Sequence, residues 1–239
     1  MPKPKRPRLL TATLVVIAVA GAASSLYYGQ RLRKLQHEKV DLARQVGLLD
    51  VTDPQRVHIQ RVPYSDSDPP PGIEAAYVWR YRLYLPANYG ACWMSRSGAI
   101  AADSPRNRGG GGSSWGATSK DPEETQLTIA LLKSDGRWMI SRITDHSAST
   151  SSLSGRIEFD TLDDLIIRSV VDEATPAKSF SVHDPICLLR IRSKEPAESK
   201  KDDLTLYPGV AYYLVESNRR DDFERLANGK IDEMPEPIQ

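Results

Sequence analysis

Asp145, His146 and Ser147 stand side by side and supply the three side-chain types of a nucleophilic hydrolase: an orienting carboxylate, an imidazole base and a hydroxyl. Such a triad is assembled in space from separate segments, and neighbours on one extended chain rarely converge. No Gly-x-Ser-x-Gly elbow is read around any serine. A hydrolase using His146 with Asp145 or Ser147 is therefore the third of three functional readings. His58, His146 and His183, with Asp184 beside the last, follow no metal-ligand spacing, so no metal is expected. The run GGGGSSWGATSK (109–120) has the glycines of a phosphate cradle. It lacks the Gly-Lys-Ser/Thr that would set a lysine on a phosphate, so no nucleotide cofactor is expected and the run reads as a loop. No catalytic set is recognised, and the chain does not read as an enzyme.

Two cysteines exclude a disulfide-rich scaffold and an all-cysteine zinc site. Cys92 and Cys187 both lie in strand-like runs. A disulfide between them would close a loop of ~100 residues and contribute about 4–5 kcal/mol. Two buried free thiols fit the sequence equally well. A binding reading comes from Arg80, Arg82 and Tyr84, which share one face of an alternating run. Planar cations beside an aromatic ring suit carboxylates and acidic sugars, so an acidic polysaccharide is the second functional reading. The same residues also suit a solvated sheet face on which arginine stems shield apolar surface.

The elements that must position these residues are mostly strands. Residues 76–85 (AYVWRYRLYL) alternate, with Tyr77, Trp79, Tyr81, Leu83 and Leu85 on one side and Val78, Arg80, Arg82 and Tyr84 on the other; this predicts a sheet buried on one face. Residues 56–62, 89–94, 186–192 and 210–216 read as further strands. Residues 126–143 read as a hairpin about Asp135-Gly136, whose residues tolerate positive φ. Residues 162–171 fit a capped helical turn or a strand. Residues 221–228 suggest a short helix. Mobile loops are expected at 95–125, 144–155 and 193–203, and a frayed tail at 229–239. With no βαβ alternation, the body at 51–228 is expected to be mainly β, an antiparallel sandwich or open barrel.

The N-terminal region differs in kind. Residues 9–28 are 20 consecutive residues without a charge, preceded by Lys3, Lys5, Arg6 and Arg8 and closed by Tyr27 and Tyr28. At helical rise this spans about 30 Å, the thickness of a bilayer's hydrocarbon core. A transmembrane helix is expected, with residues 1–8 as a basic cytoplasmic tail; a cleaved signal peptide is the competing reading. Either places the body outside the cytoplasm. Residues 29–50 carry strong helix formers. Leu32, Lys39 and Val46 fall at heptad position a, and Leu35, Leu42 and Leu49 at d. That pattern fits a short coiled coil, hence a weak homodimer, or a single stalk helix. The first eight residues carry +4 and residues 29–50 carry +2. Of the formal net charge of +1, the body therefore holds −5, which disfavours nucleic acid as a partner.

At WRYRLYLP (79–86) the chain resembles uncharacterised bacterial single-pass proteins, in which an anchor and helix precede a β-rich extracytoplasmic domain. The resemblance runs from the anchor to the hairpin of Trp138 and implies no transferable activity. The leading functional expectation is an interaction or structural module of the cell envelope, held in the inner membrane.

Overall fold

The computed structural model describes residues 49–63, 75–116, 118–145, 147–153, 159, 162–197 and 204–236, together with 27, 28, 30, 31, 34 and 35. All of the expected span at 9–28 except Tyr27 and Tyr28, and most of the heptad positions, Leu32, Lys39, Leu42 and Val46, lie outside the described residues. Of the remaining seam positions, Leu35 is helical and exposed, whereas Leu49 is not helical. Among the described residues no helix is long and apolar enough to cross a membrane. Residues 1–46 and 47–239 form separate compact units.

In the second unit, the described residues form eleven strands in two antiparallel sheets. The first sheet has the order β7 (Ala148–Ser152), β6 (Arg137–Thr144), β5 (Glu123–Ser134), β2 (Ala75–Leu85), β1 (Val57–Arg61), β9 (Ala177–Phe180). The other runs β4 (Asn107–Trp115), β3 (Ala91–Ala101), β11 (Leu206–Glu216), β10 (Ile186–Ser193), β8 (Leu165–Ser169). One apolar cluster draws on both sheets: Ile59, Tyr81, Leu83, Leu127 and Ile129 from the first, Trp93, Leu189, Ile191, Tyr212 and Leu214 from the other. The Tyr81 hydroxyl, 2.8 Å from Ser169 Oγ, crosses between them. The arrangement is compatible with a β-sandwich.

A second cluster lies on the far side of the β11 sheet, where Cys92, Met94, Tyr213 and Val215 meet Phe223 and Ala227. The last two belong to α1 (Arg220–Ala227), whose apolar residues at i, i+3 and i+4 make one stripe. Asp221 and Asp222 suit its first turn and Arg225 its last. Gly229, at φ 72°, ends it, donating to the Leu226 carbonyl while Lys230 N–H reaches that of Arg225.

Some expectations held: the β5–β6 hairpin turns on Asp135 and Gly136, both at positive φ, and Tyr81, Leu83 and Leu85 of β2 are buried; the one-sided burial expected of β2 holds only there, since Tyr77 is exposed and Tyr84, on the other face, is buried. Others did not. Residues 95–125 are largely strand, because β3 continues to Ala101 and templates the glycine run as β4. Gly98 faces Gly109 at a point of close backbone approach, and both have positive φ. A Cβ on Gly109 would meet Ser97 O at 2.3 Å, and one on Gly98 would meet Arg108 O at 2.8 Å. Gly111 leaves room for Arg96, whose guanidinium lies 5.4 Å from the Phe223 ring centroid and pairs with Glu224 at 2.7 Å. Residues 148–152 of the expected serine-rich loop form β7 along β6. The ambiguous 162–171 segment is both things, a 3-10 turn at Leu162–Asp164 and then β8. Nor is the described tail loose: Met234 packs on the second cluster and Arg219 Nη2 donates to the Pro235 carbonyl.

These contacts separate the glycines. Gly98→Ala and Gly109→Ala should each cost about 2 kcal/mol or more, from positive φ and the steric clash. Gly110→Ala, whose Cβ would have only Ser97 Oγ at 3.7 Å, should change stability by less than ~1 kcal/mol. Urea unfolding of the three variants checks this; equal small effects would mean that residues 107–115 are not held as a strand.

Candidate functional site

The trio Arg80, Arg82 and Tyr84 does not form one site. Tyr84 is buried; its hydroxyl donates to the Pro54 carbonyl at 3.2 Å and its ring meets His58 edge-on at 5.8 Å. Its cross-strand neighbour His58 and the next partner Gln60 share that face and are also buried, and the Asp53-Pro54 segment before β1 accepts from Tyr84 and contacts His58. Arg82 sits half-buried between Gln60 and Gln126 in register. Arg80 alone reaches a cleft, of about 430 Å³, lined also by Arg61, Trp79, Arg168 and Asp172. The cleft's positive charge is offset locally: Arg61 pairs with Glu173 at 3.2 Å, Arg168 pairs with Asp103, and Asp172 is part of the wall.

Two of the nominal hydrolase residues, Asp145 and Ser147, are committed to turns. Asp145 Oδ2 accepts from Thr125 Oγ1 at 2.8 Å and from the Gln126 N–H at 2.9 Å. Ser147 Oγ lies 2.9 Å from Thr144 Oγ1. His146 lies outside the described residues. Sequence reasoning overlooked that Gly112-Ser113-Ser114-Trp115-Gly116 matches Gly-x-Ser-x-Gly in its letters. Ser114 stands on edge strand β4 with no helix after it, so the elbow geometry is absent, and its Oγ accepts from Arg142 Nη2 at 2.8 Å. His58 Nε2 is 2.6 Å from the Asp53 carbonyl and His183 Nδ1 is 3.2 Å from Glu216, each a local contact. Among the described residues no histidine, cysteine, aspartate or glutamate group gathers to hold a metal ion.

The larger cavity, about 500 Å³, opens where the end of β2, the start of β3 and the end of β4 meet the start of β5 and the end of β6. Leu85, Tyr89, Ala91 and Trp93 give it an apolar side; Ser114, Glu123, Thr125, Thr144 and Ser147 give it a polar one. Its rim is tied: Asn88 N–H donates to the Ser119 carbonyl at 2.8 Å, Gly116 N–H to that of Ala91, and the Asp145 bonds fix the opposite wall. Trp115, which also lines it, is 62% exposed, with the Arg220 guanidinium 5.0 Å from its ring centroid. Burial, with Glu216 nearby, pushes the Tyr89 phenol far above its ordinary value. Burial also lowers the Arg142 guanidinium.

Both cysteines are free. Cys92 lies opposite Val215 and Cys187 opposite Tyr213, on the two sides of β11. Two strand spacings put their backbones ~10 Å apart, beyond the ~7 Å a disulfide can bridge. Burial pushes both thiols above the ordinary range; Arg220 opposes this at Cys92, as do Arg190 and Tyr213 at Cys187. The thiolate is the reactive form, and a raised pKa depletes it at neutral pH. A thiol-specific disulfide reagent at pH 7.5 should therefore leave both untouched in the native chain and titrate both after denaturation; prompt native reaction of both would contradict this.

Comparisons of the chain with protein-family models, curated proteins and solved structures yield no match.

Proposed function

We propose that the chain is a membrane-tethered interaction module of the cell envelope. Residues 9–28 cross the inner membrane, residues 1–8 stay in the cytoplasm, and residues 29–50 form a stalk, as one helix or as a pair joined through Leu32, Leu35, Leu42 and Val46. The body from residue 51 onward is held on the far side. The single observation that carries this reading is the run of 20 uncharged residues directly after four basic ones. The −5 charge of the body adds support: basic residues cluster beside the apolar run and are diluted beyond it. The body offers concave, pinned surface, and the side chains of Asp145 and Ser147 serve turns and strand ends.

Alkaline carbonate extraction of cells expressing the full chain, followed by protease treatment of intact spheroplasts, tests the reading. The chain should pellet with membranes, and protease should remove the body without lysis. Full-length protein in the aqueous fraction, its first thirty residues attached, would overturn it.

A further inference from the structure

We propose that the 500 Å³ cavity beside β4 is a binding site for a neutral sugar unit of mono- or disaccharide size. The inference deepens the interaction-module reading, on which it rests, by naming a ligand class. The volume falls within the range of small-ligand sites. The chemistry of the walls is two-sided. Trp93, Leu85 and the exposed Trp115 offer flat apolar surface against the C–H face of a pyranose. Thr125, Thr144 and Glu123 line the same space; the Thr125 proton is held by Asp145 and Thr144 Oγ1 pairs with Ser147, so this wall presents oxygen acceptors to the donating hydroxyls of a ligand. A ring with one apolar face and hydroxyls at its edge matches that division.

Charge selects among ligands. An organic cation is disfavoured because the Arg220 guanidinium, 5.0 Å from the Trp115 centroid, sets a positive charge beside that ring and would repel it. An anion is disfavoured because, among the described residues, the one charged side chain lining the larger cavity is Glu123, while the arginine cleft is matched by Asp172, Glu173 and Asp103. The ties from Asn88 to Ser119 and from Thr125 to Asp145 hold the walls before any ligand arrives, which lowers the ordering cost of binding.

The test is tryptophan fluorescence and saturation-transfer NMR on the purified full chain in detergent. The probes are cellobiose, maltose and chitobiose as neutral sugars, and oligogalacturonate as the acidic one. At least one neutral sugar should bind, with affinity reduced tenfold or more in both Trp115→Ala and Glu123→Gln and unchanged in Arg80→Gln. The exposure of Trp115 makes its variant safe for folding, which circular dichroism verifies. Binding of oligogalacturonate alone, neutral-sugar binding insensitive to Trp115→Ala and Glu123→Gln, or no binding at all would each overturn the proposal. Because this readout does not depend on a bilayer, its failure leaves membrane attachment standing, and the converse also holds.

Discussion

Strand β11 is buried on both faces, and the rest of the body is arranged around it. Val210, Tyr212 and Leu214 enter the cluster shared by the two sheets, while Ala211, Tyr213 and Val215 enter the cluster beneath α1. Each large apolar side chain so buried contributes about 1.5–3 kcal/mol. A shift of one residue in register would exchange the two sets, placing side chains fitted to the sheet–sheet space against the helix. The eleven-residue ladder to β3 and the pairing to β10 therefore fix both layers at once.

Buried arginines complete that frame. Arg190 is 5% exposed and donates to the carbonyls of Ala101 and Ser104 and to the Tyr213 hydroxyl, clipping the β3–β4 turn onto β10 and β11. Arg219 ties the carbonyls of His183 and Pro235, and Arg96 holds α1 through Glu224. The planar fork of the side chain suits this work, since its donors reach several separate acceptors at once. These three arginines thus serve the fold, and the lining of the larger cavity is aromatic, hydroxyl and, at Glu123, carboxylate.

Strands whose pattern was local could be read from the sequence. The alternation in 76–85 and the Asp135-Gly136 turn announce β2 and the β5–β6 hairpin because side-chain period and turn chemistry are properties of neighbouring residues. The glycine run could not be read that way: isolated glycines favour no strand, and β4 exists because β3 offers a ladder with space for Gly109 and Gly111. The fate of Tyr84 was hidden for a similar reason. Alternation shows which residues share a face; it does not show that His58 flanks Tyr84 on that face or that the Pro54 carbonyl meets its hydroxyl. The larger cavity gathers residues from 85 to 147, and its only local sign was the aromatic–serine run ending at Trp115.

The body's stability is independent of the proposed tether and rests on β11. Hydrogen exchange of the full chain in detergent, followed by peptide mass analysis, addresses it directly. The amides of 206–216 should exchange last, at the free energy of global unfolding, with the edge strands β7 and β9 exchanging earlier. Exchange of 206–216 ahead of those edges would show that the doubly buried strand is not what holds the two layers together.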